Sequence, residues 1–155
     1  SLDLDDVLDS TMIRLHDLME FDSAVLLVLD ETDATWVAAR RDGPKVPSPL
    51  PTHRLPPPLR RAMTVTGAVS EPNLLESGGP GLSPSAGAGI YASMRARGSL
   101  IGLISVERTA EATFTARDLE LLNRFAEPSA LAVDKTGAVY VLDEGNFRVL
   151  KLPVR

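Results

Sequence analysis

The chain contains no cysteine. That excludes disulfides, thiolate zinc sites, a thiol nucleophile and any thioether-linked chromophore. Histidine is scarce: His16 and His53 stand far apart, and no metal or cofactor is expected from the remaining residues. A basic excess is missing as well. The net charge of -5 and a pI near 5.0 argue against a partner nucleic acid, whose phosphates call for a basic face. No apolar run approaches the roughly 18 residues that span a bilayer, and the start SLDLDDVLDS is acidic, unlike a signal peptide. The expectation is a cytoplasmic protein without a membrane partner, its opening Ser1 the boundary of an excised piece.

What is present suits one hydrophobic core. The 155 residues are 44% hydrophobic and 24% charged, ordinary for a globular protein and too short for two comfortable cores. In residues 3–20, Leu4, Leu8, Met12, Leu15 and Met19 recur at offsets of three and four, with Val7 and Leu18 widening the stripe. That spacing predicts an amphipathic helix, with Asp3, Asp5 and Asp6 at its dipole-favoured start. Ile13 falls on the opposite face and is the candidate for a helix–helix dimer contact. SAVLLVLD (Ser23–Asp30) is a Val/Leu run suited to a central strand, and ATWVAARR (Ala34–Arg41) reads as its antiparallel neighbour.

Seven prolines lie within residues 44–58, so regular structure is unexpected there. LRRAMTVTG offers one helical turn before a short extended piece. Residues 67–89 are Gly/Ser/Pro-rich and read as a long mobile loop. Gly89–Arg95 and Ser99–Arg108 form a predicted hairpin around a tight turn at 96–98. In FTARDLELLNRFAE, Thr115 with Asp118 three residues on resembles a capping box, followed by Leu119, Leu122, Phe125 and Ala126 on one face. Helix, strands, irregular insert, strands and helix predict an α+β fold: an antiparallel sheet with N- and C-terminal helices packed on one face.

Two stretches carry a family resemblance. FDSAVLLVLDETDATWVAAR, then GSLIGLISV followed by FT-x-x-D-L-x-L-L-x-x-F-A, resembles a GAF domain, a sensor module of bacterial signalling proteins, over about residues 3–134. The resemblance implies a GAF/PAS-like sheet. It also implies a ligand cavity between the sheet and the insert 44–89, lined by Leu27, Leu29, Trp36, Ala38, Met63, Ile90, Tyr91, Ala92 and Met94. Trp36 and Tyr91, each an apolar body with a polar tip, suit either a pocket wall or the core. There are departures. Ser93 stands where many members carry proline, the cyclic-nucleotide signature is missing, and no cysteine is available for bilin attachment or for reduction of free methionine sulfoxide. Neither His16 nor His53 sits where haem-binding members place a ligand.

The tail departs further. Pro128 interrupts the closing helix, which costs roughly 3 kcal/mol in a helix interior. PSALAVDKTGAVYVLDEGNFRVLKLP then resembles one NHL repeat, a β-propeller blade element. It predicts a β-meander of Ala130–Val133, Ala138–Leu142 and Phe147–Leu152, with DKTG and DEGN as turns. Since one blade cannot bury its faces alone, the tail must pack on the core or on another chain. The expected division is 1–127 as the sensor domain and 128–155 as a dependent extension.

Catalytic groups are few. Ser70, Ser77, Ser83 and Ser85 read as turn residues without a histidine to activate them. Glu71 and Glu76 are not a fixed pair, SGGPG lacks the Lys-Ser/Thr of a phosphate loop, and Arg40, Arg41, Arg60 and Arg61 form two exposed basic doublets. The resulting expectation is a non-enzymatic sensory or dimerisation module, a homodimer through its first helix, with fused or partner signalling domains and an unidentified small molecule as partners. The alternative is a GAF/NHL junction serving as a scaffold without ligand.

Overall fold

The computed structural model describes residues 9, 12–13, 15–30, 32–77, 79–96, 99–110, 113–126, 130–133, 139–143 and 148–152. Helix α1 comprises the helical positions among residues 9–18. It is followed by β1 (Ser23–Asp30), β2 (Thr35–Asp42), β3 (Leu50–Pro51), α2 (Pro57–Ala62), β4 (Val69–Glu71), β5 (Ala88–Ala96), β6 (Ser99–Arg108) and α3 (Ala116–Ala126). β7 (Ala130–Val133), β8 (Val139–Asp143) and β9 (Arg148–Leu152) complete the chain.

β1 is the apolar run read from the sequence, and it takes a central position because both its faces are covered. Six strands pair in the order β3-β2-β1-β6-β5-β4, antiparallel throughout. Alternation along the strands divides the core in two. Ala24 and Leu26 of β1, with Ile90, Ala92 and Met94 of β5 and Ile104 and Val106 of β6, face α1 and α3. There they meet Leu15 and Met19 from the first helix and Leu122 from the last. Val25, Leu27, Tyr91 and Leu103 face the other way, onto Trp36, Leu50, Leu55, Leu59 and Leu82. The result is three layers: terminal helices, sheet, and the insert between β2 and β5. Leu4, Val7 and Leu8 of the expected helical stripe lie outside the described residues, as do the first three aspartates.

The insert differs from its expected irregularity. Leu50–Pro51 joins the sheet edge beside Thr35–Trp36. A 3-10 turn follows at Thr52–Arg54. Pro57 opens α2, where proline's missing N–H would have had no intrahelical partner. Leu50, Leu55 and Leu59 carry the segment: each buried leucine is worth about 1.5–3 kcal/mol, which outweighs the proline-imposed loss of backbone bonds. Residues 67–89 likewise are not simply a mobile loop. β4 pairs with β5, and Leu74 and Leu82 are buried, whereas Leu75 is 89% exposed.

The start of α3 is built as its sequence indicates. Thr115 N–H donates to Asp118 Oδ2 at 2.9 Å, and Asp118 N–H donates to Thr115 Oγ1 at 3.1 Å. Thr115→Ala removes half of this reciprocal cap and is expected to lower stability by about 1 kcal/mol. Thermal denaturation would show it as a fall of roughly 2–4 °C.

β7, β8 and β9 form a separate antiparallel sheet in sequential order, with Leu131 opposite Val141 and Val141 opposite Leu150. The strands fall within a residue or so of the expected meander, and its turn segments lie outside the described residues.

Candidate functional site

β6 reads Leu103-Ile104-Ser105-Val106-Glu107, so period-two alternation sends Leu103, Ser105 and Glu107 to the insert face together. Glu107 is thereby driven into the interior, 1% exposed. Three donors meet it. Leu82 N–H donates to Oε2 at 2.7 Å, Ser83 N–H donates to Oε1 at 2.7 Å, and the Tyr91 hydroxyl donates to Oε2 at 2.6 Å. Two consecutive backbone amides of the insert are thus clasped by a carboxylate of the sheet.

Small residues make this geometry feasible. Gly89 is paired directly with Glu107, and Tyr91 with Ser105. The Tyr91 ring leans across Gly89 to reach the diagonal carboxylate, a reach that aromatic side chains have between neighbouring strands. A β-carbon at Gly89 would stand 2.1 Å from the Tyr91 hydroxyl, and one at Gly81 would stand 2.0 Å from Glu107 Oε2. Both glycines are required because side chain and backbone approach so closely there.

Burial pushes the Glu107 carboxyl above the ordinary carboxylate range, while the Tyr91 hydroxyl and the Ser83 and Leu82 amides pull in the opposite direction. Tyr91 is pushed well above its usual value, first by burial and then by the adjacent Glu107 charge. With a folded pKa above the unfolded one, the native state holds more protons than the unfolded chain between the two values. The Glu107 contribution is therefore most favourable below the ordinary carboxylate range and is lost as pH rises through the folded value. Tyr91→Phe removes a donor that favours the ionised form, so its cost is expected to be larger at pH 8 than at pH 4.5. At pH 8 about 1.5–3 kcal/mol is expected, as for a hydrogen bond to a charged group. Urea denaturation of both proteins at both pH values measures the difference.

Beside Glu107 lies a cavity of about 20 Å3, to which Asp22, Ser23, Ser83, Ser85 and Thr109 contribute. Asp22 Oδ2 accepts from Thr109 N–H at 2.8 Å and from Thr109 Oγ1 at 3.2 Å. The Ser83 and Ser85 hydroxyls are 3.2 Å apart. Ser23 Oγ and Ser105 Oγ are buried on this side without a hydrogen-bond partner.

The residues expected to line a ligand cavity are divided by the sheet. Leu27, Trp36 and Tyr91 are buried on the insert face, with Leu29, Ala38 and Met63 packed around them. Ile90, Ala92 and Met94 lie on the helix face. Strand alternation separates them, since Tyr91 is flanked by residues that point the other way. Trp36 Nε1 donates to Thr52 Oγ1 at 3.1 Å, anchoring the insert at its other end. Ile13 is 64% exposed on α1. Ser83 is buried at the Glu107 clasp rather than lying in an open turn, Glu71 is paired with Arg61, and Arg40 with Asp9 at 2.8 Å. His16 stacks on Phe21 with ring centroids 5.2 Å apart. Among the described residues no cluster of His, Cys, Asp or Glu could hold a metal, and no helix is long and apolar enough to cross a membrane. Glu107 is not among the residues that the sequence pattern marks as functional. The available signal was a carboxylate in the inward register of an apolar strand.

The GAF domain profile matches residues 3–135, and the NHL repeat profile matches residues 125–152. No curated protein matches in sequence. Among similar solved structures, the free methionine-R-sulfoxide reductase from Neisseria meningitidis, in complex with its substrate, superposes with a TM-score of 0.67. It is 20% identical, with 80% of this chain and 74% of that chain covered. The GAF domain of a two-component sensor histidine kinase from Bacillus halodurans has a TM-score of 0.64 and 14% identity, covering 81% and 90%. That of the Acinetobacter phosphoenolpyruvate-protein phosphotransferase has 0.68 and 16%, covering 81% and 79%. The reductases correct the expectation that the chain is not an enzyme: proteins of this fold catalyse, and the fold gives no ground for that exclusion. The lack of cysteine restricts chemistry here only to groups other than a thiol.

Proposed function

The chain belongs to the GAF domain family, and on that footing we propose that it is a sensory or regulatory module of a signalling protein. In this reading a small molecule is received on the insert face, and the terminal helices pass the consequence to fused or partner domains. One observation carries it: the insert lays Leu50, Leu55, Leu59, Ala62 and Leu82 on the sheet face opposite the terminal helices, and buried Glu107 pins it there through the Leu82 and Ser83 amides. β1, β5 and β6 send alternate residues to each face, so moving the insert disturbs strands on which the helices rest. A ligand drives such a change only by its difference in affinity for the two arrangements. The centre of the insert face is filled by Trp36, Leu59 and Tyr91, so a metabolite would enter by shifting the insert.

The same reading has two copies meeting along α1, where Ile13 and Leu18 are exposed. Mass spectrometry of the purified protein, thermal melts against nucleotides, haem and common metabolites, and size exclusion with light scattering test both parts. A bound or stabilising molecule and a dimer are expected. A clean apo protein with an indifferent melt contradicts ligand sensing, and a monomer contradicts the helix contact.

A further inference from the structure

We propose that Arg108 is the joint through which the insert acts on both terminal helices. Freeing the insert from Glu107 then loosens the end of α1 and the start of α3. This rests on the reading of those helices as the output, and it names the residue that serves them.

Three parts of the molecule converge on the end of β6. The insert is held by the Glu107 carboxylate at the Leu82 and Ser83 amides. It is held again where it rejoins the sheet: Gly87 N–H donates to the Arg108 carbonyl at 2.8 Å, and the Gly87 carbonyl accepts from Leu74 N–H at 2.8 Å. That return is close, since a β-carbon at Gly87 would stand 2.4 Å from the Thr109 carbonyl oxygen. The segment leaving α1 is tied to the same place. Asp22 N–H donates to the Glu107 carbonyl at 2.9 Å, and Arg108 Nε donates to the Glu20 carbonyl at 2.7 Å. Thr109 adds its N–H and hydroxyl to Asp22 Oδ2. The third part is the approach to α3. The Arg108 guanidinium lies 4.7 Å above the ring of Phe114, the residue before the capping Thr115. Phe114 is itself buried with Leu15, Met19 and Leu122 of the two helices.

Strand alternation makes a change on one face reach the other. Glu107 and Arg108 are consecutive in β6, so the first points to the insert and the second to the helices. When the Leu82 and Ser83 amides leave, the end of β6 loses two bonds that fix its position, and Arg108 moves with it. The grip of Arg108 on Glu20 is a charge-assisted hydrogen bond, and its contact with Phe114 is a cation–π interaction. One rigid planar guanidinium makes both, so α1 and the approach to α3 respond together. The device has two settings, clasp closed and clasp released. The coupling between clasp and helices is a free energy that acts in both directions.

Hydrogen exchange of the ligand-free protein, followed by NMR, tests the joint at two amides. Met19 N–H donates to the Leu15 carbonyl at 2.9 Å at the end of α1, and Leu119 N–H donates to the Thr115 carbonyl at 3.1 Å at the start of α3. Glu107→Gln weakens the clasp, and Tyr91→Phe weakens it more gently should the first variant not fold. Rates are referred to the β1 amides, which report global opening. With Arg108 in place, weakening the clasp is expected to speed both helix amides by about fivefold or more, the lower end of coupling between sites. In an Arg108→Met background, with the apolar stem kept and the guanidinium gone, the same weakening should leave both rates within about twofold. In Phe114→Leu the response should vanish at Leu119 and persist at Met19. An equal response with and without the guanidinium overturns the proposal. So does a wild-type background in which the Leu82 and Ser83 amides speed up and the helix amides do not. A fruitless search for a bound molecule counts against sensing alone, whereas a bound molecule with helix amides indifferent to the clasp counts against the joint alone.

Discussion

Glu107→Leu is expected to destabilise the protein by about 3–9 kcal/mol, since three buried donors lose their acceptor at about 1–3 kcal/mol each. The loss is comparable with the whole stability of an ordinary domain, about 5–15 kcal/mol. Replacing a buried ion pair by apolar residues is often harmless, because both partners leave together. Here they do not. The Leu82 and Ser83 amides belong to the backbone and stay behind, as does the Tyr91 hydroxyl. Glu107→Gln should fall between. Its amide keeps one acceptor but turns an NH2 group toward a backbone N–H. Urea denaturation should therefore rank wild type above Gln and Gln above Leu. A Leu variant within about 1 kcal/mol of wild type would mean that the clasp contributes nothing.

Trp36→Ala is the second large effect, at about 3–5 kcal/mol. The indole is fully buried against Leu50, Leu55 and Leu59, so the cavity left behind lies where the insert meets the sheet. Its N–H also holds Thr52, whose hydroxyl in turn donates to the Ala34 carbonyl at 3.1 Å. The loss should therefore be regional. Hydrogen exchange should accelerate at the Leu55 and Leu59 amides, which donate to Thr52 and Pro56 carbonyls. Leu122→Ala, on the helix face, is a control. It should cost about 2–5 kcal/mol while leaving those insert amides protected until global unfolding.

How far the sequence discloses this molecule depends on how local the signal is. β1 and α3 were legible because an eight-residue Val/Leu run and a Thr–Asp cap state their structure within a few residues. The two faces of the sheet follow from alternation, although assigning Ile90, Ala92 and Met94 with Tyr91 to one lining overlooked it. The insert was obscure for another reason. Its order comes from leucines whose partners lie tens of residues away, while its prolines and glycines suggest local irregularity. Glu107 was hidden most completely: Leu82 and Ser83 are twenty-five and twenty-four residues distant, and they bind through backbone atoms that any sequence would supply. Only its inward register among apolar neighbours marked it.

Native-state hydrogen exchange at the Leu82 and Ser83 amides probes the joining of insert and sheet most directly. Both amides should exchange as slowly as those of β1 and β6 in the wild-type protein, and far faster in Glu107→Leu under conditions where that variant remains folded. Exchange at the rate of an open, solvated loop in the wild type would contradict the clasp, and with it the route from insert to helices.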